Sequence, residues 1–181
     1  TKEWKAFPEV PDVYGIAADA VGNVWFAEFN SAEHGSIGKV DIKTNKVTKY
    51  TPPPDEANGR PRRLKIDSHG NVWFAQYFGG AIAKFDPKTE KFTVHKLPGP
   101  FPTIYGLGVD RNDSIWGVSH FNEATYRVDQ DGKVVAYPSP YVSRGTRDLW
   151  MDAQGRMWYG AQPEFKVGYF YLRSASKTVA A

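Results

Sequence analysis

The side chains of this chain that could act as general bases are its four histidines, His34, His69, His95 and His120. Their spacing points to no familiar chemistry. There is no His-x-x-x-His pair for a metal, no Gly-x-Ser-x-Gly nucleophile turn and no glycine-rich phosphate loop leading into a helix. Cysteine is absent, which excludes disulfides, thiolate metal sites and a cysteine nucleophile together. His120 beside Ser119 could serve as a base, but it stands in no recognised catalytic motif. Arg60, Arg62 and Arg63 gather around Pro61 as a small basic cluster, which reads either as a solvated loop or as an anion site.

Composition bounds the remaining classes. With 181 residues, 41% hydrophobic, 15% aromatic and 24% charged, the chain is globular and the default is one packed unit. Its 23 Lys+Arg against 20 Asp+Glu leave a net charge of +3. The lysines fall at spaced, turn-like sites (Lys43, Lys46, Lys88, Lys91, Lys133) rather than in a track, so no nucleic-acid partner is expected. Apolar runs break at Gly, Pro, Asp or Lys long before the roughly 20 residues of a membrane helix. No transmembrane segment is expected. The chain opens at Thr1 without a methionine or an apolar signal core, so it reads as a processed, trimmed or partly observed product whose first residues report no address.

The frame that positions these side chains is a repeat. Residues 15–28 read GIAADAVGNVWFAE, 63–76 RLKIDSHGNVWFAQ, 106–119 GLGVDRNDSIWGVS and 148–161 DLWMDAQGRMWYGA. Each copy sets an Asp (Asp19, Asp67, Asp110, Asp152) six residues before a Trp (Trp25, Trp73, Trp116, Trp158), and the Trp-to-Trp steps are 48, 43 and 42 residues. The local period is two throughout, which predicts strands and no helix. Strand A (Gly15–Ala18 in the first copy) meets strand B (Val24–Ala27) through a turn on the Asp and Gly22-Asn23. Strand C follows at Ser36–Asp41, Ala81–Asp86, Ala124–Asp129 and Val167–Leu172, and strand D at Lys46–Thr51, Lys91–Leu97 and Lys133–Pro138.

An all-β chain of four-stranded antiparallel units with an aromatic at a fixed place predicts a β-propeller of four blades. A sandwich of unrelated strands would not repeat the whole Asp-x-x-Gly-Asn-x-Trp unit, and the rungs of a β-helix are shorter. The region is a single propeller over 1–181, with blades at approximately 9–53, 54–98, 99–140 and 141–181 and with 1–8 as a stray outer strand. Two closures remain open. Trp4–Pro8 could complete the fourth blade against Val167–Leu172 and close a small ring, whereas Lys177-Thr178-Val179 resembles that blade's own strand D and predicts an arc of a larger propeller. An arc leaves terminal blade faces that need a protein partner or the rest of an assembly.

Strand direction puts the D-to-A and B-to-C connections on one face, where loop-borne function belongs. The candidate binding residues there are Tyr14, Arg62, Tyr105 and Arg147 before strand A, and Glu28, Gln76, Tyr77, His120 and Gln162 after strand B. Arg and Tyr are favoured interface anchors, although Tyr14 and Tyr105 could equally pack between blades with satisfied hydroxyls. The four Trp read as blade core, and the Asp before each turn as its cap. His69 falls in a turn of the opposite face and His95 on an outer strand, so the histidines do not converge.

Gly-Asn-Val-Trp-Phe-Ala-Glu, followed by Ile37-Gly38-Lys39-Val40-Asp41 and Pro-rich D-to-A connections, closely resembles blades of the streptogramin lyase (virginiamycin B lyase) family. The resemblance implies a seven-bladed propeller, of which this chain matches a little over half, and proteins that are often exported to the periplasm or beyond. It also implies lyase chemistry with a general-base His and a magnesium ion held by carboxylates, carried by Glu-Pro-His-Gly-Ile before strand A and a Glu four residues after the Trp. No copy carries that set. The His position holds Tyr14, Arg62, Tyr105 and Arg147, the first Glu position Asp12, Arg60, Thr103 and Gly145, and the second Phe29, Tyr77, His120 and Gln162. Neither a catalytic residue nor a cofactor is therefore expected in these blades. The reading is a non-catalytic binding or scaffolding module. Its alternative is a C–O lyase whose His, Glu and magnesium site lie in blades outside this chain.

Overall fold

Polar turns on Asp and Gly close one antiparallel hairpin after another along this chain. The computed structural model describes residues 1–4, 12–29, 35–53, 59–122, 124–138, 145–162 and 165–172. Within them the first sheet runs β1 (Val13–Ala18), β2 (Val24–Glu28), β3 (Ser36–Val40) and β4 (Val47–Tyr50). The second runs β5 (Pro61–Ile66), β6 (Val72–Gln76), β7 (Ala81–Asp86) and β8 (Lys91–Lys96). The third runs β9 (Ile104–Val109), β10 (Ile115–Ser119), β11 (Ala124–Val128) and β12 (Val134–Pro138). The fourth has β13 (Leu149–Met151), β14 (Met157–Ala161) and β15 (Lys166–Phe170). Within each sheet consecutive strands pair antiparallel, and no helix occurs among the described residues. The fourth blade's outer strand, expected at Lys177-Thr178-Val179, lies outside the described residues.

The six-residue Asp-to-Trp spacing has a mechanical reason. Each Asp turns back on its own hairpin and accepts the indole N–H of its Trp, at 3.2 Å (Asp19–Trp25), 2.8 Å (Asp67–Trp73), 2.8 Å (Asp110–Trp116) and 2.7 Å (Asp152–Trp158). The other contacts of the same carboxylate hold the turn: Asp67 takes the backbone N–H of His69 and Asn71 as well as the Asn71 amide. One carboxylate thus caps the A–B turn and satisfies a buried indole that would otherwise cost about 1–3 kcal/mol.

The Trp of each of the first three blades faces the next blade. Trp25, Ala27 and Ile37 pack on Leu64, Phe74 and Phe85; Trp73 and Ile82 on Leu107, Ile115 and Tyr126; Trp116 and Val118 on Leu149 and Met157. Strand A is innermost, so β1, β5, β9 and β13 contact in series along an axis. Gly15 and Gly106 make that approach possible. A Cβ on Gly15 would collide with the Arg62 carbonyl oxygen, and one on Gly106 would sit 2.8 Å from the Asp148 Cα. At the A–B turn end these strands border a cavity of about 580 Å³, lined by Ile16, Val24, Ile66, Val109, Leu149 and Trp150 among others.

Among the described residues the stack is open at both ends. Ile16 is the counterpart of Leu64, Leu107 and Leu149; those three are 2%, 0% and 1% exposed, whereas Ile16 is 70% exposed, with no blade among the described residues packed on it. A ring of four would bring the fourth blade's Trp face onto Ile16. That face is uncovered instead, with Trp150 71%, Val167 76% and Tyr169 47% exposed. The chain is accordingly an arc. Of the segment that could have closed a ring, Trp4 is exposed and outside any strand, and residues 5–8 lie outside the described residues.

Candidate functional site

At the end of the axis opposite the 580 Å³ cavity, three inner strands carry an irregularity at the same place. The β1–β2 register shifts between Val13 and Ile16, the β5–β6 register between Pro61 and Leu64, and the β9–β10 register at Tyr105. Each shift is a bulge, an extra residue that re-aims a side chain. The residues in the bulges include Tyr14, Arg62 and Tyr105, and all three side chains meet at the mouth of the axis.

Arg62 is the centre of that meeting. Its guanidinium carbon lies 3.8 Å from the ring centre of Tyr77, 4.4 Å from Phe29, 4.5 Å from Tyr105 and 5.1 Å from Tyr14. Cation–π attraction of about 0.5–2 kcal/mol per ring holds it there. Burial pushes the Arg62 guanidinium below its ordinary value, with Tyr14 and Tyr77 opposing and the nearby Arg147 assisting. An arginine nevertheless stays charged at neutral pH. The phenols around it are locked: the Tyr14 and Tyr105 hydroxyls hydrogen-bond each other across the axis, and the Tyr77 hydroxyl pairs with His120 Nδ1 at 2.8 Å. Burial, then Arg147 and Arg62, push the His120 imidazole below its ordinary value. Burial raises the Tyr77 phenol.

Of the nine candidate residues, the structure brings together six: Tyr14, Arg62, Tyr77, Tyr105, His120 and Arg147, the last with its guanidinium 5.7 Å from the Tyr105 ring. The other three stand apart. Glu28 is buried at the end of β2, where it accepts the Ser36 hydroxyl with Lys49 3.9 Å away. Gln76 is buried at the end of β6 against Gly59. Gln162 lies exposed after β14, its carbonyl accepting the Phe165 N–H. Both outlying histidines sit where the repeat puts them: His69 beside Asp113 at 3.3 Å on the turn face, and His95 stacked on Trp73. His34 lies outside the described residues.

Sequence reasoning missed the aromatic rim. Phe29, Phe78 and Phe121 follow strand B in three blades and surround the cluster, with Arg60 5.6 Å from the Phe78 ring and 5.8 Å from Phe29. The signal was present as an aromatic recurring just after β2, β6 and β10.

The mouth's donor set does not fit the magnesium ion that the resemblance implies. Magnesium takes hard oxygen ligands, carboxylates above all, whereas this mouth presents guanidinium groups, bonded phenols and an imidazole. Among the described residues no three His, Asp or Glu side chains converge.

Comparison with known proteins places the arc. No curated protein sequence matches the chain. A virginiamycin B lyase from Staphylococcus aureus superposes with a TM-score of 0.76 at 18% identity, covering 93% of this chain and 58% of that one. The extracellular domain of a one-component system from B. thetaiotaomicron superposes at 0.65 with 24% identity, over 83% of this chain and 19% of that one. An auxiliary nutrient binding protein from Bacteroides thetaiotaomicron gives 0.65 at 12% identity, over 86% and 47%. These likenesses carry the propeller fold, and the chain spans a little over half the length of the lyase. The model of the virginiamycin B lyase family matches residues 4–178, nearly the whole chain. An arc of Trp-bearing blades with that match belongs to the virginiamycin B lyase family.

Proposed function

We propose that this chain is a non-catalytic β-propeller binding module that docks through its loop face and its open last blade onto a protein partner or the remainder of a larger assembly. The observation that carries the reading is the uncovered face of the fourth blade. Trp158 continues the series of Trp25, Trp73 and Trp116, each buried by the following blade, yet Trp150, Val167 and Tyr169 around it stay exposed. Apolar sheet faces of this kind mark interaction surfaces. Export from the cytoplasm belongs to the same reading, supported by the extracellular domain among the structural neighbours.

Light scattering on the 181-residue chain tests it. Self-association that disappears in a Val167→Glu/Tyr169→Glu variant is the expected result. A monodisperse wild-type monomer that binds no hydrophobic dye on this face would sink it.

A second reading, favoured by the family match, is a streptogramin-directed C–O lyase whose His, Glu and magnesium ligands come from blades outside this chain. Incubation with virginiamycin B separates the two. Turnover by a protein that carries this arc together with further blades, stopped by chelation of magnesium, selects the lyase, and an intact substrate under the same conditions selects the binding module.

A further inference from the structure

We propose that the mouth of the axis is a carboxylate site, in which Arg62 and Arg147 hold the anion and the exposed rings of Phe78 and Phe121 receive an apolar or aromatic body. The inference rests on the loop face being a binding face, and it names what that face binds.

The charge pattern is the first observation. Arg127 and Arg156 each sit within ion-pair distance of a carboxylate, Asp110 and Asp152. Arg60, Arg62, Arg63 and Arg147 have no such partner among the described residues, although Arg62 and Arg147 are close enough to repel each other. Among the described residues these cations converge without an acid, and an anion held between them would offset their repulsion.

Unfilled donors are the second. A guanidinium carries five N–H groups in one plane. Arg62 uses one, in a 3.4 Å contact from Nη1 to the Tyr14 hydroxyl, and its Nε is buried without a hydrogen-bond partner. The Tyr14 and Tyr105 hydroxyls are committed to each other, and the Tyr77 hydroxyl to His120. Rings packed on its faces fix the guanidinium plane. A planar carboxylate matches that fork in two parallel hydrogen bonds.

Shape is the third. Phe78 and Phe121 are 60% and 61% exposed and flank Tyr77, with ring centres 4.8 Å and 6.4 Å from it. Apolar rings held beside paired cations select an anion that carries an apolar body over a bare, fully hydrated one.

Calorimetric titration of the chain with 3-phenylpropionate, 3-phenylpropionamide and inorganic phosphate tests the assignment. Saturable binding of the acid, with the amide and phosphate weaker by about tenfold or more, is expected from the worth of charge-assisted hydrogen bonds. Arg147→Gln, at an exposed position, should weaken the acid by about tenfold while leaving the melting temperature in place. Arg62→Gln should abolish binding, and because its packing is at stake it is read only alongside its melting curve. Equal binding of acid and amide, acid binding unchanged in Arg147→Gln, or no acid binding at millimolar concentration would each overturn the site. Phosphate binding as tight as the acid would overturn the role of the phenylalanine rings. None of these variants touches the fourth blade's open face, so the light-scattering result stands or falls separately.

Discussion

At the scale of the residue, the chain uses carboxylates and guanidinium groups for opposite purposes. Asp19, Asp67, Asp110 and Asp152 are consumed by structure: each closes a turn and caps an indole. Arg62 is held by ring faces with its Nε unpartnered. His120 reports on this arrangement. Burial and the two arginines favour its neutral form in the fold, so its folded pKa lies below the ordinary 6.5. The stability it contributes is complete above that ordinary value and is lost as pH falls through the lower folded one. In an NMR titration the His120 ring should titrate below 6.5, and Arg147→Gln should move it upward toward that value. A midpoint at or above 6.5 in the wild type would contradict the cationic mouth.

At the scale of the element, the inner strands must come close enough to share an axis, and glycine decides where they do. Gly15→Ala drives a methyl into the Arg62 carbonyl and the Arg63 Cα of β5, both backbone atoms that cannot swing away. It should destabilise the chain by about 1–3 kcal/mol in urea unfolding, the usual range for overpacking. Gly160 is the control. Nothing lies within 4 Å of a Cβ built there, because it sits on the uncovered face of the fourth blade. Gly160→Ala should leave stability within about 0.5 kcal/mol of wild type. Equal costs at the two positions would mean that the fourth blade is covered after all.

At the scale of the whole molecule, an open stack is stabilised by its neighbour interfaces, so its interior blades should outlast its ends. The second blade is covered on both faces, by Trp25 and Ile37 on one side and by Leu107 and Tyr126 on the other. The fourth is covered on one. Hydrogen exchange should therefore protect the amides of β6 and β7 well beyond those of β14 and β15. Uniform protection across all four sheets would argue against an arc with free ends.

The sequence by itself determined the blades. The Asp-to-Trp spacing, the period of two and the polar turns are local, and local hydrogen bonding and burial act on them before any long-range contact forms. Hence β6 and β7 begin and end close to where the repeat puts them, and Trp25, Trp73 and Trp116 are core. The sequence also put Tyr14, Arg62, Tyr105 and Arg147 on one face, because strand direction alone carries that information. What it could not tell was which of those side chains meet. Bulges in β1, β5 and β9 turn Tyr14, Arg62 and Tyr105 into the axis, and nothing in the residue types announces a bulge. Glu28, Gln76 and Tyr77 look alike in sequence and all three are buried, but only the Tyr77 ring meets Arg62 and His120, while Glu28 takes the Ser36 hydroxyl and Gln76 packs on Gly59, since register against the neighbouring strand fixes which way each side chain points. Ring or arc was likewise a tertiary matter: Ile16 has the same local surroundings as Leu64, and only whether a described blade packs in front of it decides whether it sees water.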